Sequence, residues 1–169
     1  MADLSGEYSQ RWNGQLVYWR AGDLRGEHLL GLWLDLVFAA AAAPGKIRSA
    51  VIAGGKKKTE EYFFNAPDSA QAQAYVRRCM DYYMRAWQQP HNYLPGLHWS
   101  LVNGSAEEQT DIVVKQSMNE YSELNRESLQ RCFPEFDQTL INGGLQPWRA
   151  EYDWIWQLPL TCLERGGDE

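Results

Sequence analysis

The sequence predicts a mixed α/β chain, with a small sheet and hairpin in the N-terminal half and an all-helical C-terminal half. Three observations predict it. Residues 15–20, QLVYWR, are β-branched and aromatic, and the turn signals Asn13-Gly14 and Gly22 bound them. IRSAVIA and EEYFFNA are two more strand-like runs, joined by GGKKKT. From Pro67 onward the apolar residues recur mainly at helical spacing, apart from a loop with a short extended piece at 90–104.

Each element has its own signals. After the first strand, Asp23 stands where a helix N-cap is expected. The next helix, Leu24 to Ala43, is apolar on most sides through Leu29, Leu30, Leu32, Trp33, Leu34, Leu36, Val37 and Phe38. Such a helix is buried on several sides or pressed against another subunit. Pro44-Gly45 ends it. The hairpin comes next, with lysines at its tip. Pro67-Asp68 opens a second helix, with Asp68 as its cap. Its apolar positions are Ala72, Tyr75, Val76, Cys79, Tyr82, Tyr83, Ala86 and Trp87, and Pro90 closes it. Ser105 and Glu108 make a capping box for a third helix, whose core face carries Ile112, Val113, Met118, Tyr121 and Leu124. A short helix runs from Pro134 to Ile141, and Asn142-Gly143-Gly144 breaks it. The last helix runs from about Pro147 to Leu163, with Pro159 expected to kink or interrupt it. One strand plus a hairpin makes a poor sheet, which suggests that the chain starts in the middle of a larger domain.

Composition narrows the function. The 169 residues amount to about one domain, long enough to bury a core without staples. The net charge is −6 and the pI about 5.1, so DNA contact by overall charge is excluded and only a local basic patch remains. Eight tryptophans and nine tyrosines imply large apolar contacts, either within one core or shared with a partner. Cys79, Cys132 and Cys162 are odd in number and widely spaced, which fits a reducing compartment rather than a disulfide framework or metal site. MADLSGEYSQ lacks a secretory pattern, and the apolar stretch Leu29–Ala43 is too short to span a bilayer. The expectation is a soluble, cytoplasmic protein with no membrane partner.

VIAGGKKKTEEYFF, residues 51–64, poses the main chemical question. Two glycines beside three lysines suggest a phosphate cradle, but a P-loop needs GxxxxGK followed by Ser or Thr. Here Lys57 follows Gly55-Lys56, and position 50 is alanine. A metal-dependent nuclease of the PD-(D/E)XK type needs an acid two residues before a lysine, on one face of a strand. Pro44, Gly54, Gly55, Lys56 and Val113 precede Lys46, Lys56, Lys57, Lys58 and Lys115 at that spacing, and none is acidic. His28, His91 and His98 are isolated; Glu27 beside His28 faces elsewhere on the helix. There is no GxSxG elbow. The stretch reads as a hairpin with a basic tip, able to touch a phosphate but not to cut. No catalytic residue, metal site or cofactor is assigned.

QLVYWRAGDLRGEHLLGLWLDLVFAAA has the form xLVxWRxGxLRG followed by a helix with LxLWLDxL. This resembles the C-terminal region of the exodeoxyribonuclease V gamma subunit, the RecC family of the RecBCD helicase–nuclease. The downstream elements come in a similar order too: a hairpin, the helix SAQAQAYVRRCMDYYMRAWQQP, and a proline-marked loop with YLPGLHWS. The resemblance covers most of residues 14–160, and WRAGDLRG with LWLDL is its most specific part. It implies a degenerate PD-(D/E)XK nuclease-like domain without catalytic residues. Gln71 and Tyr75 match the QxxxY helix motif of RecB-type nucleases, as a relic of fold. The chain is then a single nuclease-like C-terminal domain over 1–169, with a strand–helix–hairpin–helix part at 14–100 and a helical part at 105–165. The family's gamma subunit is longer, so the upstream elements, including its duplex-splitting pin, are expected to be missing here.

The resemblance implies a scaffold role in DNA repair and homologous recombination, with the alpha and beta subunits of exodeoxyribonuclease V as partners and DNA contacted through the complex. Arg20, Arg25, Lys56, Lys57 and Lys58 are the DNA candidates, against the alternative of a solvated turn. Trp33, Trp148, Trp154 and Trp156 are the partner-interface candidates, against the alternative that they fill the chain's own core. Two other functions stay open. One is a Mg²⁺-dependent nuclease with acids from Asp23, Asp35, Glu60 and Glu61. The other is a stand-alone mimic of the gamma C-terminus that competes for its partners.

Overall fold

A computed structural model of the chain describes residues 11–56 and 58–165. They fall into two compact units. The first holds the residues up to Arg85 together with those from Leu158, and the second holds Ala86–Gln157.

The first unit is built on a five-stranded sheet in the order β1-β2-β3-β4-β5. The strands are β1 (Arg11–Trp12), β2 (Gln15–Ala21), β3 (Ser49–Gly55), β4 (Glu60–Asn65) and β5 (Leu163–Arg165). β2 and β3 are parallel, with Leu16 opposite Ala50 and Arg20 opposite Gly54; the other pairs are antiparallel. A parallel neighbour needs a crossover, and α1 (Gly26–Ala42) supplies it. The predicted strand and hairpin are therefore β2, β3 and β4. β1 and β5 were not anticipated. They are two and three residues long, too short for a propensity signal. Asn13 and Gly14 take φ of 49° and 78°, the left-handed pair of a tight hairpin turn, which folds β1 back on β2.

Alternation decides which strand residues enter the core. Leu16, Ala50, Ile52 and Phe64 share one face and are buried. α1 covers that face with Leu29, Leu32, Trp33, Leu36 and Val37, a stripe at helical spacing. Trp33 is the largest of these and is wholly buried. Its ring lies 5.7 Å from Phe64, and 5.7 Å from Tyr75 in an edge-to-face contact. Tyr75 belongs to α2 (Ser69–Ala86). Asp68 caps α2 as expected: its carboxylate accepts the Gln71 N–H at 2.8 Å, and Gln71 Oε1 accepts the Asp68 N–H at 3.4 Å. Asp23 does not cap α1. The N-cap is Arg25, in an extended conformation, and the Asp23 carboxylate turns to the β3–β4 turn instead.

The second unit is helical. It holds α3 (Pro95–Asn103), α4 (Gln109–Ser117), α5 (Glu127–Cys132), α6 (Phe136–Thr139) and α7 (Leu145–Tyr152), and α8 (Trp154–Cys162) begins in it. Three sequence expectations are corrected here. PGLHWSLVN is helix rather than loop: Leu94, Leu97, His98 and Leu101 are buried at helical spacing, and Pro95 occupies the first turn. α4 stops at Ser117, so Met118 and Tyr121 leave the expected core face and are 81% and 79% exposed. The Asn125 side chain closes that turn, donating to the carbonyls of Ser117 and Asn119. The expected last helix is two, α7 and α8, with Pro159 inside α8. The Ser105–Glu108 box forms as expected at the short 3-10 turn before α4. Gly143, at φ 105°, breaks the run after α6. Among the described residues no helix is long and apolar enough to cross a membrane.

Replacing Trp33 by alanine should cost about 3–5 kcal/mol, because a buried ring contacting sheet and helix leaves a cavity neither can close. Urea denaturation checks it, and a loss under about 1 kcal/mol would mean that Trp33 is not the centre of the first unit.

Candidate functional site

The carboxyl end of the parallel pair gathers most of the basic candidates. Arg20 lies on β2 opposite Gly54, and Gly22 bridges to Gly55 just beyond. The two glycines permit close backbone approach. A side chain on Gly54 would stand 2.9 Å from the Arg20 carbonyl, and one on Gly55 would stand 2.0 Å from that of Lys58. Lys56 is next in the chain. Its N–H donates to Asp23 Oδ1 at 3.3 Å, and its Nζ lies 3.7 Å from Asp23 Oδ2, with both side chains largely exposed. Such an exposed pair is a weak tether. Arg25 begins α1, and its N–H donates to His28 Nδ1 at 3.0 Å. Burial and then the charge of Arg20 hold the His28 pKa below 6.5; Glu27 acts against them and Arg25 with them. Glu27 does not face elsewhere: its carboxylate lies 3.8 Å from His28 Nε2. Arg20, Arg25, His28 and Lys56 thus share one corner of the first unit. Lys58 is exposed in the same turn, and Lys57 lies outside the described residues.

The four acids of the nuclease alternative have separate roles. Asp23 holds Lys56. Asp35, on α1, accepts the Tyr18 hydroxyl at 2.7 Å. Glu60 and Glu61 are exposed neighbours on β4, opposite Gly54 and Ala53, and alternation sends them to opposite faces. Among the described residues no three His, Cys, Asp or Glu side chains group so as to hold a metal ion. The QxxxY pair is likewise divided, with Gln71 capping α2 and Tyr75 packed on Trp33.

The tryptophan candidates are interior. Trp33 and Trp156 are wholly buried, and Trp148 and Trp154 are 4% and 7% exposed. Their side chains are buried in the folded chain, the alternative the sequence also left open. The surface aromatics are others: Trp12, Trp19, Tyr83, Trp87 and Tyr121. Burial in a sheet or helix layer hides this distinction from the sequence.

The second unit holds a polar cluster that the sequence pattern did not reveal. His98, expected in a loop, is fully buried on α3, and its Nε2 pairs with Asp153 Oδ1 at 2.8 Å. Arg149 donates two bonds to the same carboxylate, at 3.2 and 3.1 Å. The rings of Tyr93 and Trp148 stand 5.7 and 5.3 Å from the imidazole. Asn92 accepts from Trp148 Nε1 through its carbonyl and from the Tyr152 hydroxyl through its side chain. The Glu123 carboxylate is also buried and accepts the Leu97 N–H at 2.9 Å, an anion at the start of α3. The helical spacing of Leu94, Leu97, His98 and Leu101 was the available signal.

Burial holds the His98 pKa below 6.5, although the bond to Asp153 opposes the shift. The folded chain then binds fewer protons than the unfolded one in the window from the lower folded pKa up to about pH 6.5. The stabilisation from a neutral His98 is complete above that pH and is lost as the pH drops toward the folded pKa. Urea midpoints should fall between pH 7.5 and pH 5.5, and H98Q should flatten that fall. His28 has the same sign, so H28Q serves as the control. An equal fall in wild type and H98Q would remove His98 from the account.

No curated protein matches the chain. The family model described as the RecC C-terminal domain matches residues 1–106. That match takes in the whole β2–α1–β3–β4–α2 arrangement and the basic corner. The chain belongs to the RecC C-terminal domain family, whose domain is part of the exodeoxyribonuclease V, or RecBCD-type, complex.

Proposed function

We propose that the chain is a non-catalytic scaffold and DNA-channelling domain of a RecBCD-type double-strand-break repair helicase–nuclease, working in the cytoplasm. Its partners in this reading are the alpha and beta subunits, and it meets DNA through the complex. The observation that carries the proposal is membership of the RecC C-terminal domain family over residues 1–106. The crossover of two parallel strands, followed by a hairpin and the α2 helix, supports a degenerate PD-(D/E)XK-like core. The lack of any acid two residues before a lysine supports a structural rather than a cutting role.

The basic corner is the place for DNA contact in this reading. Arg20, Arg25, Lys56 and Lys58 lie at one end of the sheet, on a chain of net charge −6. A contact there is to backbone phosphate, independent of sequence and sensitive to salt. Asp23 holds Lys56 until a phosphate displaces it.

Mixed with both helicase subunits of the same source, the chain should co-elute with at least one of them in light-scattering gel filtration. Separation from both would end the scaffold reading. With the complex assembled, R20A/R25A and K56A/K58A should each weaken DNA binding equally on all sequences. The slope of log affinity on log salt should become shallower by about 0.9 for each duplex phosphate no longer neutralised, or by about 0.7 on a single strand. Unchanged slopes would place DNA elsewhere. Mg²⁺-dependent cutting by the purified chain, abolished by E60A, would instead establish the nuclease alternative.

A further inference from the structure

The sheet of the first unit has a second face, turned away from α1. Leu16, Ile52 and Phe64 point to α1, and Tyr18 on the same side reaches Asp35 of that helix. Alternation sends the strand residues between them to the other face. The registers set those residues in rows across the strands. One row is Trp19, Ala53 and Glu61. The next is Val17, Val51, Phe63 and Glu164. Trp12 and Gln15 begin a third. Two side-chain bonds agree with this placement. Gln15 Nε2 donates to Ser49 Oγ at 3.0 Å, and Asn65 Nδ2 donates to Glu164 Oε1 at 2.7 Å. A solvated sheet face is ordinarily polar. This one leaves Trp12 69% and Trp19 74% exposed, with Val17 at 37%. An apolar patch of that kind marks an interaction surface.

Charge on that face indicates what fits it. The indole rings stand on β1 and β2, and the carboxylates of Glu61 and Glu164 stand on β4 and β5. Trp19 and Glu61 are two strand spacings apart, about 10 Å, with only the Ala53 methyl between them in the row. A cation laid over Ala53 meets an aromatic ring on one side and a carboxylate on the other, and both attract it. Among the described residues of β1 to β4 no lysine or arginine points to this face. Arg11 and Arg20, opposite Leu16 and Gly54, alternate to the α1 side. We propose that this face of the sheet docks a basic amphipathic helix of a partner subunit, with a lysine or arginine of that helix over Ala53, between Trp19 and Glu61. A helix is the usual cover for a sheet face. The rings and valines supply the buried contact, and the two carboxylates select a basic flank. Bases could stack on Trp12 and Trp19, but the carboxylates beside them repel a phosphate backbone, which favours protein over nucleic acid here. This inference rests on the reading of the chain as a subunit domain, and it names a surface for that reading now that the four tryptophans are interior.

Two probes separate the inference from the reading it rests on. The first is a fluorescent synthetic helix with Leu at i, i+3, i+4 and i+7 and Lys elsewhere, beside a control in which Glu replaces Lys. The second is the pair of helicase subunits. The basic helix should bind the full chain, and the acidic control should not. W12T/W19T and E61K/E164K should each raise Kd about tenfold or more, for the helix and for whichever subunit co-elutes. E120K/E151K makes the same change of net charge at exposed acids of the second unit, and should bind the basic helix as wild type does. All six positions are exposed and threonine keeps strand propensity, so the urea midpoints should stay near the wild-type value. If the basic helix fails to bind, binds W12T/W19T and E61K/E164K as it binds wild type, or is weakened equally by E120K/E151K, the docking inference is overturned, even when a subunit co-elutes. If the helix binds through this face and neither subunit does, the docking inference stands and the RecBCD-type reading falls. Single-stranded DNA held by wild type and lost in W12T/W19T, without helix binding, would overturn it in favour of base stacking. A dimer of the chain alone that W12T/W19T dissociates, without helix binding, would overturn it in favour of a second copy.

Discussion

The first unit depends on one buried ring. Trp33 is fixed to the crossover helix α1 and reaches both Phe64 on the hairpin and Tyr75 on α2. Three elements distant in sequence are joined there, and a crossover is what brings β3 beside β2 in parallel. The resulting register places Arg20 opposite Gly54, and so brings the strand end, the helix start and the hairpin tip to one corner. The basic corner is a consequence of how α1 packs.

That corner is balanced rather than strongly positive. Asp23 shares it with Lys56, and Glu60 lies opposite Gly54. Burial, and after it the charge of Arg20, lowers the His28 pKa. Exposed pairs of this kind hold little energy, and salt screens them. In the proposed function, a phosphate contact made here within a larger assembly is released readily. A tight independent DNA site would need a denser patch than a chain of net charge −6 presents.

The second unit solves a different problem, the burial of polar groups. His98, Asp153 and Arg149 form a chain of bonds walled by Tyr93 and Trp148, while Glu123 closes the start of α3. Of the three only His98 is fully buried, so losing its bond to Asp153 leaves a buried polar atom without that partner, which is costly. This explains how a segment with two prolines and a glycine, 90–96, leads into a helix that positions a histidine. Its packing comes from residues far along the chain, such as Trp148 and Tyr152, which bond to Asn92.

By itself the sequence determined the strand–helix–hairpin–helix order, the cap at Asp68, the box at Ser105 and the family motif, because each rests on neighbours within a few residues. It also ruled out an acid-x-lysine triplet, since that motif is a matter of spacing. It missed β1 and β5, whose few residues become strand only by pairing with β2 and β4. It placed Met118 and Tyr121 in a core because periodicity does not say where a helix stops. It offered Trp33, Trp148, Trp154 and Trp156 as contact residues and filled the face of α2 down to Trp87. Composition is the same whether an aromatic stripe meets its own sheet or runs past it. Only the tertiary structure decided that the four tryptophans lie inside, that Gly54 and Gly55 serve close backbone approach, and that α2 extends beyond its cover. Burial is a property of what lies opposite a residue, and that neighbour is set by the fold.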